Sequence, residues 1–105
     1  GQKLGLDPRI LFDIISTATG SCWAVENNLP IAGIVDTAAS NKGFKAGFAV
    51  AMMAKDLRLA QLAARSVDAT TPLGTEAAAI YTSFEECGNQ GLDFSAIIKF
   101  IGHET

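Results

Sequence analysis

Apolar residues recur along this chain at helical spacing and nowhere alternate as they would in a strand. Leu11, Ile14 and Ile15 follow Asp7-Pro8 in a three-and-four rhythm. That pair opens a helix well, because the aspartate accepts orphan amide hydrogens and the proline has none to lose. The helix is predicted to fade between Thr17 and Gly20, and the start of the chain reads as the tail of another helix that Gly5 stops. Ser21 is placed to cap a short helix over 22–28 that carries the only tryptophan, Trp23.

Residues 29–43 break the rhythm. Pro30, Gly33, Ala38, Ala39, Ser40, Asn41 and Gly43 give this stretch the composition of a loop. It is long for an unstructured connection in a compact domain, and loops of that length usually have a role. The strongest helical signal comes next, over 45–66. Phe48, Met52, Leu59, Leu62 and Ala63 mark one side, and alanines fill much of the rest. Alanine favours helix and lets neighbouring helices approach closely, so this helix is expected to be central and contacted on several sides.

Thr71-Pro72 opens a further helix through Ala77, Ile80, Tyr81 and Phe84 to about Glu86, and Gly88 and Gly91 break the chain after it. Asp93 is the expected cap of a last short helix, whose stripe is Phe94, Ile97, Ile98 and Ile101. His103, Glu104 and Thr105 read as a frayed end. The expected fold is therefore all-α: one domain over 1–105, a helical bundle of five or six helices around a long central Ala-rich helix.

Composition narrows the function classes. With 105 residues, 49% hydrophobic and 18% charged, the chain suffices for one packed domain and is not globally disordered. Eight Lys and Arg against 11 Asp and Glu leave a net charge of −3. No basic excess is present to bind nucleic acid or an anionic membrane. The longest apolar run, Phe48 to Ala54, is far too short to span a bilayer. The start lacks both a signal-peptide pattern and an initiator Met, which fits a piece cut from a longer protein. Cys22 and Cys87 imply no disulfide framework and are expected to be reduced and mostly buried; one histidine makes a closed zinc site improbable.

No self-sufficient active site stands in the sequence: it has no phosphate loop, paired-histidine motif or hydrolytic triad. Glu85-Glu86 are adjacent, so their carboxylates point to different faces, and they read as solvated surface. Lys55-Asp56 is more unusual, since it follows seven residues without a polar side chain. Either Lys55 snorkels to water with Asp56 bonded to a nearby loop, or it presents a cation to a cofactor or acidic substrate. Trp23 is likewise either a core anchor or the wall of a small-molecule pocket under the loop at 29–43.

The succession Gly20-Ser21-Cys22-Trp23, Pro30, Gly47-Phe48 and Met53-Ala54-Lys55-Asp56-Leu57 resembles the C-terminal half of the β-hydroxyacid dehydrogenases. Leu59-Ala60, Pro72-Leu73-Gly74, Tyr81 and Asp93-Phe94-Ser95 extend the match in order over essentially the whole chain. The resemblance is greatest to the 3-hydroxyisobutyrate dehydrogenase branch, with tartronate and succinic semialdehyde reductases as relatives. It implies an all-helical domain like the C-terminal domain of 6-phosphogluconate dehydrogenase. It also implies an N-terminal Rossmann domain that is absent here and holds most of an NAD cofactor, or NADP. The family's proton-transferring lysine lies upstream in a Gly-rich motif, and Lys3 does not match it.

By the same resemblance, Lys55 and Phe48 face the cofactor, while Trp23 and Asp56 belong to the substrate pocket; no catalytic residue and no metal ligand falls in this stretch. Relatives often carry a tyrosine where this chain has Asn28, which bears on the pocket rim. The implied partners are a small hydroxy acid, the chain's own Rossmann domain and further copies in a homo-oligomer, with neither nucleic acid nor membrane. The implied location is the bacterial cytosol or the mitochondrial matrix. The rival reading is a helical interaction module without chemistry.

Overall fold

A computed structural model of the chain describes residues 1–102, and the expectation for His103, Glu104 and Thr105 lies outside them. Five α-helices carry the fold: α1 (Pro8–Ser16), α2 (Trp23–Asn27), α3 (Val50–Ser66), α4 (Pro72–Phe84) and α5 (Ile97–Ile101). Short 3-10 turns at Gln2–Leu4, Ala39–Lys42 and Phe94–Ala96 and a π-type turn at Glu85–Asn89 complete it. Among the described residues there is no strand, only isolated bridges pairing Lys45 with Leu92 and Ala49 with Asp93. The chain divides into two compact units, Gly1–Phe44 and Lys45–Thr105.

In the first unit, Asp7 caps α1 as its sequence suggests, its carboxylate accepting the Arg9 amide at 2.8 Å with Pro8 at the first helical position. Gly5 ends the opening turn at φ 85°, a backbone angle that only glycine adopts without strain. α1 packs against α2. None of its residues is buried in this chain, and Ile10 and Ile14 stay exposed. The stretch at 29–43 is a built loop. Asn41 reaches back twice, donating to the Val35 carbonyl at 2.7 Å and accepting from the Gly33 amide at 2.7 Å. The Ser40 hydroxyl donates to the Leu29 carbonyl at 2.8 Å, and Val35, Ala38 and Ala39 form the buried kernel.

The second unit is built on α3 against α4, with α5 packed on α4. Thr71-Pro72 opens α4 as expected, but Gln61 of α3 takes the Thr71 and Thr75 hydroxyls at 3.2 and 2.8 Å. Gly88, at φ 90°, lets the π-type turn reverse. Phe84 is buried against Phe100, ring centroids 5.6 Å apart.

Helix α3 begins five residues later than its composition suggests. Residues 45–49 stay out of the helix because 92–93 bridge to the two ends of this stretch, a tertiary pairing that overrides the alanine signal. The expected contacts on several sides are also narrower within this chain. Val50 and Ala54 are buried, whereas Met52, Leu59 and Leu62 are exposed.

Candidate functional site

The most heavily bonded side chain of the second unit is Asp93, 1% exposed. One carboxylate oxygen accepts the Gly47 and Phe48 amides, both at 3.0 Å. The other accepts the Ser95 amide at 3.0 Å and the Ser95 hydroxyl. A buried carboxylate is tolerated only when such bonds replace its water. The sequence marks Asp93 as a helix cap; its second role, forty-five residues back along the chain at Phe48, has no local signal.

Asp93 thus holds the lead-in to α3 from its side chain, and the backbone around it completes the clamp. The Phe94 amide donates to the Phe48 carbonyl at 2.8 Å, and the two rings meet edge-on at 5.8 Å and 80°. Val50 and Ala51, the first amides of α3, donate to the Leu92 and Gln90 carbonyls at 2.8 and 3.1 Å. Borrowed carbonyls do here what a Ser or Asp cap does at most helix starts; Ala49 at the cap position has no side chain to offer. The Tyr81 hydroxyl donates to the Phe94 carbonyl at 2.9 Å. Burial, with the negative charge of Asp93 behind it, pushes the Tyr81 phenol up to about 12.

Lys55 and Asp56 follow on α3, about 8 Å along its axis from Val50 at the usual helical rise. Both reach water: their side chains are 49% and 53% exposed, with ammonium and carboxylate 3.4 Å apart. Asp56 therefore pairs with its neighbour rather than with a loop, the partner expected of it if Lys55 merely snorkels to water. A lysine ammonium has three donors. The pair with Asp56 does not use all three, and the side chain is half-exposed.

Arg58, one turn on, bridges to Glu85 at 3.0 Å. Glu85 is half-buried by that contact and only Glu86 is fully solvated, so the expectation of two surface carboxylates holds for one of them. A groove of about 590 Å³ runs between α3 and α4, lined among others by Leu62, Ala78, Arg58 and Arg65. Phe48, Lys55 and Asp56 lie outside it.

Trp23 belongs to the first unit, where it opens α2 and is 65% exposed. It is no core anchor in this chain. Asn28 is 8% exposed, and its side-chain oxygen accepts the Ala39 amide at 3.0 Å. It is thereby a strut of the loop at 29–43, a bond no aromatic ring could make. Phe48, Lys55 and Asp56 share the second unit, α3 and its lead-in. Both thiols are free and exposed, contrary to the burial expected of them, because Cys22 precedes α2 in extended backbone and Cys87 sits in the π-type turn. Among the described residues no cluster of His, Cys, Asp or Glu could hold a metal ion, and no helix is long and apolar enough to cross a membrane.

The fold recurs in a solved structure, that of Mycobacterium tuberculosis 3-hydroxyisobutyrate dehydrogenase with L-serine. The match has a TM-score of 0.91 at 49% identity and covers 95% of this chain and 34% of that one. A second, the 3-hydroxyisobutyrate dehydrogenase of Salmonella typhimurium, matches with a TM-score of 0.77 at 25% identity over 94% of this chain and 32% of that one. These all-helical matches define the class as a domain of the β-hydroxyacid dehydrogenases. A family model described as the NAD-binding domain of NADP-dependent 3-hydroxyisobutyrate dehydrogenase matches residues 1–101, and the mitochondrial 3-hydroxyisobutyrate dehydrogenase of Bos taurus is 36% identical over 99% of this chain and 31% of its own length. The chain belongs to the 3-hydroxyisobutyrate dehydrogenase family. It spans about a third of the length of the relatives it matches.

Proposed function

We propose that the chain is the C-terminal, cofactor- and substrate-facing helical domain of an NAD(P)-dependent dehydrogenase that interconverts 3-hydroxyisobutyrate and its semialdehyde. The observation that carries this is the family match over residues 1–101, and the half-exposed Lys55-Asp56 pair on α3 supports it. The L-serine of the M. tuberculosis structure supports the substrate class. Serine, like 3-hydroxyisobutyrate, is a carboxylic acid with a hydroxyl on its β-carbon.

The reaction moves a hydride from the hydroxyl-bearing carbon and a proton from its oxygen. When bound, the nicotinamide dinucleotide supplies the hydride acceptor. Lys55 fits that group because its ammonium is half-exposed and keeps donors beyond its pair with Asp56. It would hold a cofactor oxygen or stabilise the charge that develops on the alcohol oxygen. Phe48 would present its ring beside the cofactor, and Asp56 would hold Lys55 in place. Trp23 would wall the substrate. The proton transfer falls to a lysine upstream of this stretch, by the family resemblance.

NAD is the nucleotide favoured by that resemblance. The family model's own description names NADP, so both belong in the test. The exposed apolar residues on α1 and α3 support coverage by a Rossmann domain or a second copy in the whole protein. A bacterial-cytosolic or mitochondrial-matrix location suits two exposed free thiols.

The test is reduction of NAD and of NADP by the whole protein with 3-hydroxyisobutyrate, glycerate and 4-hydroxybutyrate in parallel. The proposal expects the highest kcat/KM with 3-hydroxyisobutyrate. A better turnover of glycerate or 4-hydroxybutyrate would reassign it to a tartronate or succinic semialdehyde reductase. No turnover of any would favour a non-catalytic helical interaction module.

A further inference from the structure

We infer that Asp93 is a positioning residue of this site: it acts through the backbone at 47–48 to fix Phe48 and the start of α3, and so the placement of Lys55. The inference rests on the dehydrogenase reading above. A helix cap needs one acceptor, and the bond to the Ser95 amide already supplies it. The other oxygen of Asp93 is spent on two amides of a distant segment, Gly47 and Phe48. A carboxyl group brings an oxygen to each of the two tasks, which explains an acid here where Ser or Asn would cap as well.

The segment it holds is the one that must be rigid. The carbonyl of Phe48, the ring of Phe48 and the amides of Val50 and Ala51 are all fixed by residues 90–94. Lys55 then follows on continuous helix, so a shift at 47–51 is carried to its ammonium without a hinge to absorb it. Reacting groups misplaced by about 1 Å lose on the order of a hundredfold in rate.

The experiment compares the whole protein with its Asp93→Asn variant. An amide that keeps its oxygen on the Ser95 cap turns a donor towards the Gly47 and Phe48 amides. The inference expects a folded variant whose kcat falls 10- to 100-fold, while the Kd for NADH, read by fluorescence, changes less than threefold. The Gly47 and Phe48 amides should exchange slowly in the wild type and at least tenfold faster in the variant. The double variant Asp93→Asn with Phe48→Ala should be no slower than the slower single variant, since one residue acts through the other. An unchanged kcat in a folded variant, or fully multiplicative losses in the double variant, would overturn the positioning role.

Amide exchange in the wild type needs no variant to fold: free-chain rates at Gly47 and Phe48 would also overturn it. If the wild-type protein oxidises no β-hydroxy acid, the dehydrogenase reading fails by itself. The exchange data then still decide whether Asp93 holds 47–48.

Discussion

Replacing Lys55 by methionine in the whole protein separates what this residue does for the fold from what it does for the reaction. On the stability side the structure allows little. The side chain is 49% exposed, and its ion pair with Asp56 lies in water at 3.4 Å. Exposed pairs of this kind contribute about 0.2–1 kcal/mol, and methionine is as good a helix former as lysine. The expected loss is therefore below about 1 kcal/mol, a shift of a few degrees in Tm. On the reaction side, a preorganised donor at developing charge contributes about 3–4 kcal/mol, or a hundred- to a thousandfold in rate. Lys55→Met should thus melt close to the wild type and lose at least a hundredfold in kcat/KM. Lys55→Arg, which keeps the charge but not the point geometry, should fall between them. Thermal denaturation and steady-state kinetics on one preparation decide it. A variant within threefold of wild-type kcat/KM would refute the cofactor-facing role. A Tm loss above about 10 °C would refute the solvent-facing placement on α3.

Three further outcomes are expected. Tyr81 ionises near 10 when unfolded and about 12 when folded, so its contribution to stability is complete below pH 10 and is lost as pH rises from 10 to 12; Tyr81→Phe should flatten that alkaline limb in melts taken across the range. Gly88→Ala should cost about 1–2 kcal/mol because its φ is 90°, whereas Gly91→Ala, with open space at its Cβ and no positive φ, should be near neutral in the same denaturant titration. Cys22 and Cys87 in the 105-residue chain should both react with a thiol reagent without denaturant, and protection of either would contradict its exposure.

Much of this fold is legible where local chemistry decides it. Asp7-Pro8, Thr71-Pro72, Gly5 and Gly88 each act within a few residues, and each marks the boundary it suggests. The start of α3 is not legible, because alanines at 46 and 49 favour helix and only the pairing of this stretch with residues 92–93 keeps it out of one. The site is legible in part. Lys55-Asp56 stands out as a polar break in an apolar run, but whether it faces water depends on what packs beside it. Trp23 and the thiols mislead for a related reason: large apolar or sulfur-bearing residues are usually buried, and this chain does not itself supply the surface to cover them. Asn28 and Asp93 are the reverse case, polar residues buried by bonds to distant amides that no spacing rule announces.

The borrowed carbonyls at the head of α3 also fix an order of events. Leu92 and Gln90 lie some forty residues beyond the amides they accept. During synthesis the body of α3 can form as soon as it emerges, but its first turn has no partner until the chain has been made through Asp93. Closing a loop of that length costs entropy before any contact rewards it. The segment carrying Phe48 is thus among the last parts of the second unit to settle, and it settles only once α4 and the turn after it have been laid down. An edge assembled in this order cannot present its geometry on a half-made chain.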